Sequence, residues 1–548
     1  MRPAARMPLG SLYAAVLFIL LAACAPHGRA PDAPFTFTGL AGEPDTLNPL
    51  VSASDDLVNL SHLYMSLLVE SDGSGHLIPE IAVRVPTVEN GGISKDGRSV
   101  TYHLRHGVRW QDGAPLTARD VVFSYRAVMN PANNVLTRVG YTEIAAIDAP
   151  DPTTIVVRLR RPFSPVVAYF FGPQGYPALL PEHLLARYAD LNRVAYNQLP
   201  LGAGPYRVVQ WKRGDSITFA ANPRYWRGMP HIARLIYRIV PDPNTRMQQL
   251  KTGETDAYFD VDPQLLPQVR SIPGVHVVMT PVNDLHILEF NAADPVMRDV
   301  RVRRAVALAI DRKKLIEAAT HGAGLSIEGD QPQNGWAHDR ALPRIPFDPQ
   351  RASQILDTAG WRRTPGGIRS KNGRPLSLTL AIAPQGINGS ALVATMVQQY
   401  LHDAGIAVTI KQFAPGLMWE PKPAGGILAN GHFQIAYNAW WTLGPDPDDS
   451  WNFGCDQIPP GGENYYEWCD PRADSAMQDA LRTVDTPRRR RDYAVVQREL
   501  VTQLPELTLW QVDMPNALRV GLEHFEPSPA GSAFWNAWRW SVVTRPHA

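Results

Sequence analysis

Few residues in this chain are spaced for bond-making chemistry. A His-Glu-x-x-His helix, a Walker-type phosphate loop, a Gly-x-Ser-x-Gly elbow and a Ser-x-x-Lys pair are all missing from the sequence. His103 and His106 are three apart, but the alternation of Val100, Tyr102 and Leu104 puts them on opposite faces of a strand, which disfavours joint metal ligation. Asp446-Pro447-Asp448-Asp449 gathers three carboxylates. Such a cluster suits a cation, and turn chemistry from Asp and Pro is its commoner use. The remaining histidines are scattered. No catalytic residue, metal ligand or cofactor site is assigned, and a hydrolase built on some other constellation stays open at this point.

The 548 residues imply roughly three domains with more than one core. Lys+Arg total 53 against 52 Asp+Glu, for a net charge of +1, which argues against nucleic acid as a partner. A hydrophobic content of 45% with 19% charged residues excludes disorder as a description of the whole chain. Nine of the 14 tryptophans fall between Trp419 and Trp540.

Arg2 and Arg6 precede the apolar run 12–21, which is too short for a ~30 Å hydrocarbon core and reads as a secretory signal. Leu21-Ala22-Ala23-Cys24 resembles the lipobox of bacterial lipoproteins, in which the chain is cut before the Cys and a lipid is attached to its thiol. The expected division is a signal peptide at 1–23 and a flexible tether at 24–33, with Cys24 as the anchor. That address places the protein in the periplasm or cell envelope, lipid-anchored to a membrane. Cys455 and Cys469, fourteen residues apart, are then expected to form a disulfide in an oxidising compartment. The alternative, a two-Cys metal site, needs further thiol or imidazole ligands nearby, and none is in sequence.

The elements that must position any site mix helix and strand. Val100, Tyr102 and Leu104 predict a strand. Thr117-Ala118-Arg119-Asp120 opens a helix in capping-box form, with Val121, Val122, Tyr125, Val128 and Met129 on one face and Pro131 beyond its end. Asp348-Pro349 starts another that stops at Gly360, and Asp299 precedes a third carrying Val302, Val306 and Ala309. A strand at 376–383, a helix at 390–404 and a strand at 406–410 form a β–α–β unit, so the sheet is partly parallel.

Seven segments in order resemble the peptide-binding class (dipeptide/oligopeptide type, family 5) of solute-binding proteins of ABC importers. They include Gly42-Glu43-Pro44-Asp45-Thr46-Leu47-Asn48-Pro49, Val108-Arg109-Trp110-Gln111-Asp112-Gly113, Gly202-Ala203-Gly204-Pro205-Tyr206 and Asn222-Pro223-Arg224-Tyr225-Trp226. The resemblance implies an α+β chain with an α/β lobe, in the two-lobed periplasmic binding protein fold of type II, the large peptide-binder variant with an extra domain. Lobe I would comprise 34–78, 201–283 and 514–548, the extra domain 79–200 and lobe II 284–513, with the ligand cleft between lobes. The family performs no chemistry on its ligand.

By resemblance, the ligand-contacting strand and turn would carry Asn438, Ala439, Trp440, Trp441 and Thr442. Ser54 and Asp55 would line the cleft from lobe I, and Trp336 would approach ligand from lobe II. One of Trp440 and Trp441 is expected at the ligand and the other packed away, whereas Trp535, Trp538 and Trp540 are expected in lobe I packing. In dipeptide and oligopeptide binders this turn carries an Asp that pairs with the peptide ammonium. Here Leu443 stands at that place, so either Asp446 or Asp448 takes over or the ligand lacks a free amine there. The expected partners are a small peptide or peptide-like solute, an ABC permease with its ATPase subunits, and the membrane through the lipid anchor only. A monomer is expected. The alternatives are a non-peptide solute (murein fragment, metal chelate, oligosaccharide or opine), or an envelope hydrolase or chaperone on the same scaffold.

Overall fold

Strand pairing runs from one end of the molecule to the other in a single mixed sheet. The computed structural model describes residues 33–39, 42–52, 54–175, 178–384, 389–440, 444–519 and 521–542. Cys24, the signal 1–23, Trp441, Thr442 and Leu443 lie outside the described residues, as do the side chains of Asp55 and Trp440. Among the described residues the sheet has eleven strands. One end consists of Ala407–Gln412, Ser377–Ile382 and Ile435–Trp440, the outer two parallel to the one between them. The other consists of Phe35–Thr38, Arg234–Arg238, Ser216–Ala221 and Tyr206–Lys212, with the short strand Ala257–Tyr258 leading into it. Two long antiparallel strands, Val275–Phe290 and Glu506–Arg519, run between the ends and belong to both.

Each end has its own core. Leu288, Phe290, Leu378, Leu380, Ile435 and Tyr437 are buried in one cluster under the helices Val300–Ala309 and Ser390–Asp403. The second helix buries Val393, Ala394, Val397 and Leu401 on one face and is followed by Gly405, whose φ of 84° suits the left-handed turn into the next strand. Strand, helix and parallel strand appear in the order the sequence predicts. At the other end Phe35, Phe37, Phe219, Leu235, Phe534 and Trp540 form the second core, to which each large side chain contributes roughly 1.5–3 kcal/mol by burial. Trp540 packs against Phe35, Phe259, Phe525 and Phe534, as expected of a packing residue.

A separate three-stranded antiparallel sheet, Ser99–His103, Thr154–Leu159 and Ile144–Asp151, shares that second core through Val100, Tyr102, Ile155 and Val157. Its helix Ala118–Met129 starts in the predicted capping box, with Asp120 accepting from the Thr117 amide at 2.8 Å. Of the histidine pair only His103 lies in the strand. His106 falls in the following turn, so the expected alternation does not extend to it.

The resemblance motifs fasten this unit to the main sheet. The Gln111 side chain donates to the Tyr206 carbonyl at 2.7 Å and accepts from the Gly202 amide at 3.1 Å. Gly202 itself must be glycine, because a Cβ there would lie 1.8 Å from the Tyr64 carbonyl oxygen. No helix among the described residues is long and apolar enough to cross a membrane.

Candidate functional site

The two long strands lose their pairing where the cores separate. Pro281 pairs with Asp513 and Leu285 with Gln511, so 282–284 face Val512 alone. A break of this kind leaves backbone that can flex without disrupting either core. Asn283 sits in it. Its amide donates to the Pro529 carbonyl at 2.9 Å, and its side chain donates to the Gly444 carbonyl at 3.1 Å and accepts from Asn334 at 3.1 Å. One residue thus holds segments from both sides of the break.

A cavity of about 640 Å³ opens beside Asn283, a size suited to a small solute. Its wall combines His76 and Ala530 from the first side with Trp336, His338, Pro445 and Arg490 from the other. A smaller recess of about 130 Å³ adjoins it, reached by Asn59, His62, Asp260, Asp284 and Phe534.

Trp336 lies on the cavity wall. Its indole N–H donates to the Pro445 carbonyl at 3.2 Å, and its ring meets Tyr493 edge-on at 6.1 Å. Asn438 and Ala439 are buried in their strand rather than presented to the cavity. The Asn438 side chain donates to Glu289 at 2.8 Å, and Ala439 joins the core. Strand pairing with 286–287 places both inside the sheet, and their contact with ligand stands as a proposal. Ser54 precedes the helix Asp55–Ser61, with its amide on Ser52 Oγ at 3.0 Å. The later turn of that helix, at Val58 and Asn59, is what reaches the smaller recess. The proposed roles of Asp55, Trp440, Trp441 and Thr442 rest on side chains outside the described residues.

Asp446 does not offer its charge to the cavity. Both its oxygens accept from Arg489, at 2.7 and 2.8 Å, in a buried bidentate pair. Asp448 accepts from the Ser450 amide and hydroxyl, and burial pushes its pKa up to about 6. Asp449 is buried against Asp330, and burial and that second carboxyl hold it well above the usual carboxylate range. The three acids of 446–449 are engaged in local structure, and no cluster of three or more His, Cys, Asp or Glu side chains among the described residues is arranged to hold a metal ion.

Beneath the recess His62 Nδ1 lies 2.6 Å from Glu70. Burial works against the charged imidazole, but Glu70 and Glu80 outweigh it and raise its pKa. Burial and Glu70 push Glu80 up to about 7 against the pull of Arg227.

Residues that sequence reasoning did not single out complete the site. Gln174 crosses from the segment after Phe171 to the other side, where its side chain donates to the Asp446 carbonyl and accepts from the Asp446 amide, both at 3.1 Å. Gly444 makes room for it, since a Cβ there would sit 2.5 Å from Gln174 Cγ. Nothing local in the sequence marks Gln174, Asn283 or Arg490. The Pro332-Gln333-Asn334-Gly335-Trp336 segment was visible only through the family resemblance. Cys455 and Cys469 are joined in a disulfide with a Cα–Cα distance of 4.8 Å.

Residues 77–457 match the family described as bacterial extracellular solute-binding proteins, family 5. Protein XP55 of Streptomyces lividans is 30% identical over 527 residues, covering 92% of this chain and 90% of the relative. The oligopeptide-binding protein AppA of Bacillus subtilis is 25% identical over 497 residues, covering 90% and 88%. Among solved structures, NikZ from Campylobacter jejuni in complex with Ni(L-His) superimposes with a TM-score of 0.78 at 24% identity, covering 93% of this chain and 100% of that one. NikA from Brucella suis in complex with Fe(III)-EDTA does so with a TM-score of 0.81 at 21% identity, covering 93% and 100%. At those identities the likeness shows the fold, which is two-lobed with mixed α/β content.

Proposed function

The chain belongs to the bacterial extracellular solute-binding proteins of family 5, and from that membership we propose that it is the lipid-anchored substrate-binding subunit of an ABC importer. In this reading it captures a peptide or peptide-like solute between its lobes and delivers it to the permease, without turnover. The observation that carries it is the cavity of about 640 Å³ whose wall draws on both sides of the break at Asn283. Lobe I is then 34–78, 201–283 and 514–548, lobe II is 284–513, and 79–200 is the added domain. Backbone hydrogen bonds and water would do most of the recognition, with Trp336 as an aromatic wall.

A second reading, a non-peptide solute such as a metal chelate, is favoured by the engagement of Asp446 with Arg489, which leaves no obvious partner for a peptide ammonium at that turn. Native mass spectrometry of freshly purified protein, followed by a thermal-shift screen of peptides, murein fragments, chelates and sugars, tests both. A specific ligand at about 100 times its Kd adds ~2.7 kcal/mol of stability. A melting curve unmoved by every class would defeat the solute-binding reading. Cys24→Ala is expected to release the protein into the soluble fraction, and continued membrane retention would refute the anchor.

A further inference from the structure

The charges around the large cavity are one-sided. Arg340, Arg490, His76 and His338 line it, and no Asp or Glu does so among the described residues. Arg340 and Arg490 are exposed at its mouth and have no ion-pair partner among the described residues, whereas their neighbours Arg488, Arg489 and Arg498 are each held by a carboxylate. Of the acids next in sequence to wall residues, Asp339 is held by Arg498, Asp446 by Arg489, Asp448 accepts from Ser450 and Asp330 from Gln331, while Asp284 opens on the adjoining recess. A low-dielectric cleft lined by one sign of charge focuses its field on the solute and selects the opposite sign.

We propose that the solute taken by this cavity is anionic and is recognised through a carboxylate at Arg340 and Arg490, with no requirement for a free ammonium group. The inference rests on the solute-binding reading and narrows its substrate class. Guanidinium suits the role because its planar fork matches a carboxylate bidentately and keeps its charge at any physiological pH. The groups that could contradict it are Asp260 and Asp284 in the adjoining recess, the acids an amine would reach.

The test uses the mature protein freed of co-purified solute, with pools of random tri- and tetrapeptides in four forms: unmodified, N-acetylated, C-amidated and doubly capped. Citrate, maltotriose and a murein tripeptide complete the panel. N-acetylated acids are expected to match unmodified peptides within about twofold, and amidation to weaken binding about fivefold for each ion pair lost. Arg490→Gln and Arg340→Gln should each cost the acids about fivefold and leave the amides unchanged, with binding of the acids weakening between about 0.05 and 0.5 M salt. Both positions are exposed, and a melting temperature like that of the parent protein certifies the fold. Loss of binding on N-acetylation, or amides binding as well as acids, overturns the proposal while solute binding stands. So does tight binding of maltotriose alone. If no member of the panel binds, the parent reading fails and the proposal with it.

Discussion

Arg489 places its guanidinium across both oxygens of Asp446, at 2.7 and 2.8 Å, with the two side chains only 8% and 10% exposed. Removing one partner strands a buried charge, which costs about 3–5 kcal/mol, while replacing both with apolar groups of similar volume is close to neutral. Arg489→Met and Asp446→Asn should each lower stability by that amount in urea unfolding. The double variant Arg489→Met/Asp446→Leu should recover most of it. Single variants within about 1 kcal/mol of the parent would mean that the pair is not buried in solution.

Gln174 touches the same turn through the main chain of Asp446, with two hydrogen bonds at 3.1 Å spanning 272 residues of sequence. If closure of the cleft over solute depends on this contact, Gln174→Ala removes about 0.5–1.5 kcal/mol per bond from the closed state alone. Solute affinity should fall roughly tenfold by calorimetry, with little change in the melting of the empty protein. Gly444→Ala should act in the same direction, because its Cβ would displace the Gln174 side chain. An unchanged affinity in both variants would remove this contact from the closing motion.

How much of this was legible in the sequence depended on how far apart the interacting residues lie. Val100 and Tyr102 announced their strand by alternation, and Thr117 with Asp120 announced their helix, because both signals are complete within a few residues. The motif containing Gln111 identified the family, yet its work is to fasten two substructures together through Gly202 and Tyr206. A family signature therefore pointed to scaffold more firmly than to ligand contacts. Asn438 was named by resemblance alone, and only the partner strand reveals that its amide donates to Glu289. Arg489 lies in a run of four arginines, and nothing in that run tells which one turns inward to meet an acid 43 residues away.

The disulfide gives a simpler expectation. Cys455 and Cys469 close a loop in which Asn464 bridges the carbonyls of Gly454 and Trp468, at 3.0 and 2.7 Å. For a loop of about 15 residues the chain-entropy estimate is ~3 kcal/mol. Cys455→Ser/Cys469→Ser should lose about that much in chemical denaturation, and reductant should shift the parent protein to match and leave the variant where it is. Identical unfolding curves with and without reductant would show that the bond carries no stability.

Glu289 supplies the pH dependence. It is fully buried, one oxygen accepts from Asn438 at 2.8 Å, and the other has no hydrogen-bond partner among the described residues. Burial, then Glu506 and Glu463, push its pKa up to about 8 from an ordinary 4.5, against the pull of Asn438. The folded protein therefore holds a proton here that the unfolded chain releases. The stabilisation is complete below the unfolded pKa and is lost as pH rises through the folded one, so the window runs from about 4.5 to about 8. Glu289→Gln keeps the shape and the contact with Asn438 but cannot ionise. At about pH 5 it should match the parent protein within ~1 kcal/mol, and by about pH 9 it should be the more stable by a few kcal/mol. Neighbouring acids such as Glu463, itself raised by burial, titrate in both proteins, so the difference between the two curves reports position 289 together with its coupling to Glu506 and Glu463. Parallel curves from about pH 5 to 9 would show that Glu289 ionises as freely when folded as when unfolded, and that water reaches this strand from a side the packing leaves closed.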